Sequence, residues 1–270
     1  MTGTASLTAV PAPLRTLSAA WRVLALSFYL GWQDVRMMYR RSVLGQFWIT
    51  LSMIVTFAAI ATVFGFIFAS PVIEYLPFLG CGLVFFNFLS VLLNEGTVAF
   101  IAAESFIRQL ALEPIVYFLR TVWKTVFVLL HNLIALAVLF VFFPQDLSAA
   151  TLLAVPGLVV AAVGMSGLAL ALAMLATRYR DVPQIVAAVV QVSFYLTPIV
   201  WLPEALPAPV RDVLLAWNPF THMIGIIRDP LLGLPPSAPT WAAATGLAVV
   251  FVAAGAAAYL FKRRQLAFWV

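Results

Sequence analysis

The chain has 270 residues, 64% of them hydrophobic and 9% charged, against roughly 45–50% and 25% in soluble proteins. Fifteen Lys and Arg with ten Asp and Glu cannot cover the surface of a soluble fold of this length, so the chain is read as an integral membrane protein. The net charge of +5 would fit a nucleic-acid surface only if the basic residues formed a patch among exposed aromatics in a soluble element, and they do not. A single cysteine, Cys81, excludes an intrachain disulfide.

Residues 1–13 are expected to be disordered, and residues 1–20 lack the basic start and apolar stretch of a cleavable signal peptide, which leaves targeting to the first span. Over 14–41, Leu14, Leu17, Trp21, Leu24, Phe28, Trp32, Val35 and Tyr39 recur every three or four residues. At 100° per residue they make one stripe, with Arg15, Arg22, Gln33, Arg36 and Arg40 well away from it. This pattern predicts an amphipathic helix along the cytoplasmic interface, its aromatics at the acyl boundary and its arginines at phosphate level.

A spanning helix needs about 20 apolar residues. Windows of that length free of Asp, Glu, Lys and Arg are 42–73, 75–94, 125–145, 147–177, 182–203 and 230–261. They predict six spans within a transmembrane domain over 42–261, followed by a tail over 262–270. Thirteen of the 15 basic residues fall on one side of this plan, which makes that side cytoplasmic, along with both termini.

Between spans two and three, residues 96–114 are expected to form a cytoplasmic helix with Glu104 and Arg108 at i,i+4, the favourable order for an ion pair. It is read either as a plain connector or as a transverse helix that docks on a soluble partner. Pro203 to Pro230 is punctuated by Pro207, Pro209 and Pro219 and holds the apolar run 213–227. Two short re-entrant helices turning at Asn218-Pro219 would bury that run on the extracytoplasmic side. In the last span Ala242, Gly246, Ala253, Ala254, Gly255 and Ala256 provide small faces for close helix packing. The fold class is therefore all-α and integral to the membrane: six spans, an N-terminal interface helix, a cytoplasmic helix and two short re-entrant helices before the last span.

The sequence offers little chemistry of its own. It contains no P-loop pattern. His131 and His222 have no carboxylate or cysteine at ligand spacing, and no metal site or catalytic residue is expected. Glu95, at the cytoplasmic end of the second span, is read as reaching interfacial water rather than relaying protons. Aromatics are abundant in spans one, two and five, among them Phe57, Phe64, Phe85, Phe86, Phe194, Tyr195 and Trp201. Most must face lipid or neighbouring helices, yet the apolar C–H faces of sugar rings also stack on aromatics without fixed hydrogen bonds.

Residues 32–48, WQDVRMMYRRSVLGQFW, resemble the helix-to-first-span junction of the permease subunits of ABC-2 type polysaccharide exporters. RYRDVPQI at 178–185, YLTPI at 195–199 and WNPF at 217–220 are similar to that family's later signatures, in the same order. The resemblance covers about residues 20–265, and RDPLLG at 228–233 favours O-antigen exporters over those for capsule or teichoic acid. It implies a homodimer in the bacterial inner membrane working with two copies of a separate ATPase subunit, which alone binds ATP and Mg. It implies that the N-terminal helix and the 96–114 helix receive the ATPase stroke, through Glu104, Ser105 and Arg108. Spans one and five would line the channel with Phe57, Phe64, Phe194, Tyr195 and Trp201, and Trp217, Asn218, Pro219 and Phe220 would form a periplasmic gate. The substrate would be a polymer on undecaprenyl diphosphate, its anionic head met by Arg36, Arg40 and Arg41. A permease for small lipids or drugs in the same fold, and a membrane enzyme acting on lipid-linked sugars, are the alternatives; His222 and Asp229, seven residues apart, are the enzyme's only starting point.

Overall fold

The computed structural model describes residues 12–68, 72–110, 112–146 and 148–270, without the side chains of 12–19, 64–68, 72–74 and 267. The expectation for 1–13 therefore lies almost wholly outside the described residues. Those residues form helices and turns and contain no strand. The elements are α1 (Ala12–Met38), α2 (Phe47–Phe68), α3 (Val72–Ala102), α4 (Glu104–Gln109), α5 (Ile115–Phe142), α6 (Ala154–Arg178), α7 (Val182–Leu196), α8 (Ala208–Trp217), α9 (Pro219–Leu231), α10 (Ala238–Lys262) and α11 (Leu266–Trp269). Single 3-10 turns occupy Ala149–Leu153 and Pro203–Ala205.

Among the described residues four helical stretches are long and apolar enough to cross a bilayer: Tyr75–Gln109, Ile115–Phe142, Ala149–Arg178 and Ala238–Lys262. α7 (Val182–Leu196) is shorter, whereas α2 runs for 22 residues from Phe47 to Phe68, with its side chains described to Val63. At 1.5 Å per residue the 15 residues of α7 reach only about 22 Å of the roughly 30 Å needed. Beyond them the chain turns at 197–201, with Ile199 buried on Gly82.

α3 lies at the centre, apolar all round and buried along most of its length, as expected of a helix surrounded by others. Leu79, Val84, Leu89, Leu92 and Phe100 are fully enclosed, and α2, α5, α6, α7 and α9 pack about it. α6 and α10 meet at glycines: an added Cβ on Gly255 would fall on the Gly167 carbonyl, and one on Gly167 would lie 2.6 Å from the Val252 backbone. Not every small residue of the last span takes part, since Gly246 faces open space and Ala253 and Ala254 are exposed, while Ala244 and Ala248 are buried.

The second and third spans reach further into their connector than the sequence reading has it. The connector expected over 95–124 shrinks to 103–114, because α3 continues through Glu95 to Ala102 and α5 already includes Arg120 and Lys124. A charge-free window ends a span too early when its bounding charges are paired inside the bundle. The 96–114 helix is correspondingly a bend at Ala103 (φ −99°) followed by the short α4.

The N-terminal helix also packs by another face. The line Ser27, Gly31 and Val35 is buried, whereas Trp21 is 72% exposed and Leu24, Phe28 and Trp32 are partly so. Gly31 lets α1 and α5 touch, since a Cβ there would sit 2.8 Å from the Arg120 carbonyl and the Trp123 Cβ. Phe28 and Trp32 flank this line edge-on to Trp123 and Phe127, with centroids 5.1–5.2 Å apart. The helix ends at Met38, and Gly45, at φ +57°, turns the chain into α2, a conformation that favours glycine.

Candidate functional site

Two ion pairs join three helices at the end of the bundle assigned to the cytoplasm. Gly31 holds α1 against α5, so that Asp34, one turn on, accepts two bonds from the Arg120 guanidinium, at 2.6 Å from Nε and 2.5 Å from Nη2. This is the planar, two-pronged geometry that distinguishes Arg from Lys. One turn further along α5, Lys124 Nζ lies 2.8 and 2.9 Å from the two oxygens of Glu95 on α3. All four groups are partly buried, and with Phe106 and Tyr117 they line a cavity of about 500 Å³. Glu95 is thus partnered by a cation rather than by interfacial water alone. The signal in the sequence was the i,i+4 spacing of Arg120 and Lys124, which puts both on one helical face.

A second cavity, of about 510 Å³, adjoins the first at Glu95 and Lys124 and runs between α2, α3, α5 and α7. Ser52, Thr56, Asn87, Ser90 and Asn132 give it a polar wall, and Phe86 and Phe194 an aromatic one. Sequence reasoning passed over Asn87 and Asn132, since a single amide in an apolar window leaves the helix pattern unchanged.

The three arginines assigned to the diphosphate entrance separate. Arg36 lines a hollow of about 510 Å³ with Tyr39, Ser42, Gln46 and His131, while Arg40 and Arg41 are exposed on the turn between α1 and α2. His131 Nδ1 is 2.8 Å from the Phe127 carbonyl, and the His131 carbonyl accepts from Thr50 Oγ1 at 2.9 Å. Among the described residues no cluster of His, Cys, Asp and Glu could hold a metal ion.

On α4, Glu104 and Arg108 form the expected ion pair at 2.9 Å with Ser105 exposed beside them, and Arg108 also donates to the Val270 carbonyl oxygen. The tail is seated here, with Leu266 and Val270 buried and Arg178 5.6 Å from the Trp269 ring centroid.

The aromatics assigned to the channel are spread out. Phe57 is buried in the core beside Gly80, and the Phe64 side chain lies outside the described ones. Phe194 stands edge-on to both Phe86 and Tyr195, at 5.4 Å in each case. Trp201 Nε1 donates to the Tyr195 carbonyl at 2.9 Å. Phe86 also meets Phe220 at 5.0 Å, so one chain of rings runs from α7 through α3 to α9.

The WNPF motif supplies a helix start. Asn218 Oδ1 accepts from the Phe220 backbone N–H at 2.9 Å, and Pro219 occupies the first turn, where its missing N–H costs nothing. Asn218 Nδ2 donates to Thr197 Oγ1 at 2.8 Å, which joins this motif to YLTPI. Phe220 is buried and Trp217 is 84% exposed. Arg228, only 7% exposed, lies 4.2 Å over the Phe78 ring and donates to the Pro198 carbonyl at 2.7 Å. Burial pushes the neighbouring Asp229 carboxyl above its ordinary range, against the opposing pull of Arg228. His222 instead contacts the Ala216 carbonyl at 3.0 Å.

Apolar helices around a buried central one, with their few charges paired at the ends, define a multi-pass helical membrane protein. A model of the ABC-2 type transporter family matches residues 26–232. The chain belongs to that family: it is a permease subunit of an ABC transporter, and its family implies dimerisation and an ATPase partner. The match leaves α10 outside. No curated protein matches the chain.

Proposed function

We propose that this permease exports a polysaccharide linked to undecaprenyl diphosphate, in the first instance an O-antigen, across the bacterial inner membrane. The observation that carries the reading is that two of the four ordered exporter-like motifs are joined, by Asn218 to Thr197 and by the buried rings of Phe86 and Phe220, and present Phe194 and exposed Tyr195 beside them. Aromatic faces tolerate successive sugar rings without a fixed register, as a sliding polymer requires.

In this reading two copies of the chain form the path, with six spans each and both termini cytoplasmic. Two ATPase subunits bind ATP and Mg and push on α1 and α4, at Glu104, Ser105 and Arg108. Arg36 at its hollow and the exposed Arg40 and Arg41 on the following turn receive the diphosphate at the cytoplasmic entrance. α8 and α9 act as the periplasmic gate, turning at Trp217, Asn218, Pro219 and Phe220.

The test is reconstitution of permease and ATPase in vesicles holding radiolabelled lipid-linked O-antigen. ATP-dependent transfer of polymer to the opposite face is expected. Transfer of small lipids with no transfer of polymer would move the assignment to the small-lipid permeases.

A further inference from the structure

α5 and α6 both pack on α3 but barely touch each other, which leaves a gap between them. Gly96 of α3 backs the gap, with Phe118 of α5 on one side of it and Ala169 of α6 on the other. α10 closes one edge, and the result is a slot of about 350 Å³ whose walls are almost wholly apolar: Phe118, Leu119 and Val122, then Leu170, then Val252 and Ala256. Val252 and Ala256 are exposed on its rim. The slot therefore opens outward, within the length of the spans, to the surrounding hydrocarbon. Neither α2 nor α7, the helices assigned to the channel, contributes to it.

The charge at one end narrows the occupant. Val252, Ala256 and Arg263 stand at i, i+4 and i+11, a spacing that returns to the same helical face. Arg263 keeps helical dihedrals as the C-cap of α10, at φ −53° and ψ −33°, so it stands two turns beyond Ala256 on the line of the slot. On the opposite wall Glu113 and Pro114 immediately precede Ile115, the first residue of α5. Arg263 and Arg264 line a hollow of about 250 Å³ with these two residues, at the end of the bundle assigned to the cytoplasm. Both arginines are exposed, and neither forms an ion pair among the described residues. Glu113 is the one carboxylate lining the hollow, and exposed Lys262 adds a further cation beside it, so positive charge is in excess there.

An apolar slot in the spans that continues into unpaired guanidinium groups at the membrane surface matches an amphiphile with an anionic head. The guanidinium fork fits phosphate oxygens in pairs, and basic pockets at the cytoplasmic ends of membrane helices hold anionic head groups. A second copy seated here about a two-fold axis would instead set each arginine pair against its own image. We propose that the slot and the hollow form one site for an anionic phospholipid of the cytoplasmic leaflet, its acyl chain between α5, α6 and α10 and its phosphate on Arg263 and Arg264. The site lies apart from the transport path and does not depend on which substrate is carried.

The experiment uses the complex of permease and ATPase in mild detergent with phosphatidylglycerol carrying a diazirine near the end of one acyl chain, and maps the crosslinks after irradiation. Labelling is expected on peptides holding residues 115–122 and 162–170. Unlabelled phosphatidylglycerol should compete about tenfold better than phosphatidylcholine, the scale of one charge-assisted contact, and glycerol phosphate, which lacks a chain, should not compete. Arg263→Gln with Arg264→Gln should leave the two lipids competing equally. Ala256→Phe, which fills the slot from an exposed position, should reduce labelling severalfold, whereas Ala257→Phe, exposed one residue further on and outside the slot, should not. Equal competition by the two lipids in the wild type would mean annular lipid only and overturns the site. Competition by glycerol phosphate as strong as by the lipid would leave a phosphate pocket without a chain slot, which also overturns it. A preference that survives in the double Gln variant removes the arginines from the site. Slot peptides that stay unlabelled while other lipid-facing peptides react would mean that a second copy covers this face, and the proposal fails.

Discussion

The α1–α5 and α6–α10 contacts both depend on a glycine, yet they are secured in opposite ways. Between α6 and α10 the backbones of Gly167 and Gly255 touch, with Gly164 against Ala248 a turn away, and no charged group takes part. Between α1 and α5, Gly31 admits the backbone of Arg120 and the Asp34–Arg120 pair then fixes the register. Helices in lipid gain little from apolar burial against one another, so close packing must supply the attraction in the first contact. The second lies at the end of the bundle, where partly buried charges retain some access to water, and a directional ion pair can add to packing. An interface made by packing alone has one good position. One secured by a few polar bonds can be released and remade, which suits the role proposed for α1 in receiving the stroke of an ATPase.

The largest expected effect is on the packed side. Gly255→Leu drives a side chain into the Gly167 backbone, which cannot retreat without separating α6 from α10. The loss should exceed about 4 kcal/mol, beyond ordinary overpacking, and appear as loss of the monodisperse permease in detergent. Gly246→Leu, on the same helix but facing open space, should be recovered in normal yield. Equal recovery of both would mean that α6 and α10 are not in backbone contact.

Next comes the charged side. Asp34→Leu leaves the Arg120 guanidinium partly buried without its carboxylate, a loss of about 2 kcal/mol once solvent access is allowed for. Thermal unfolding should detect it. Adding Arg120→Leu should recover much of it, because two leucines leave no stranded charge. A double variant no more stable than the single one would show that the pair contributes little to the α1–α5 contact.

These two contacts were unequally legible in the sequence. The small residues of the last span pointed to close packing, although the sequence could not tell buried Gly255 from open Gly246, because that depends on where α6 lies. The helical period of α1 was plain, but its most apolar stripe is not its packing face: Ser27 and Gly31 carry too little hydrophobicity to register, and they are buried because they are small. Arg120 and Lys124 were assigned to a loop because a charge normally ends a span, and only their partners Asp34 and Glu95, 86 and 29 residues away, permit them inside a helix. Local signals are legible in the sequence. The Glu104–Arg108 pair and the helix start at Asn218-Pro219 both depend on residues within a few positions.

A smaller effect tests whether the packed side also depends on a polar contact. α9 lies against α6, with Gly157 beneath the Ile226 carbonyl. Its first turn is capped by Asn218, which also donates to Thr197. Asn218→Ala should cost about 1 kcal/mol, the usual worth of a cap, and speed hydrogen exchange in the first turn of α9. Asn218→Asp keeps the cap and loses the donation to Thr197, so it should protect α9 while loosening the end of α7. Identical exchange in the two variants would make the link to Thr197, and not the cap, the whole contribution of this residue.

The smallest stability effect belongs to Arg108. Its pair with Glu104 is exposed and of i,i+4 type, worth about 0.3–0.5 kcal/mol, so Arg108→Glu should barely move the melting temperature of the permease. The variant nevertheless reverses a charge on the element proposed to meet the ATPase and removes the donor to the Val270 carbonyl. If α4 is a docking element, copurification of the ATPase should fall severalfold and transport with it, while the variant stays folded and dimeric. The loss of the tail contact is separated by Arg108→Gln, which retains amide donors but carries no charge. Retained ATPase binding in that variant, with loss in Arg108→Glu, would locate the requirement in charge compatibility across the interface. Unchanged ATPase binding in both would make α4 a connector between α3 and α5, and would leave α1 as the surface through which the partner acts.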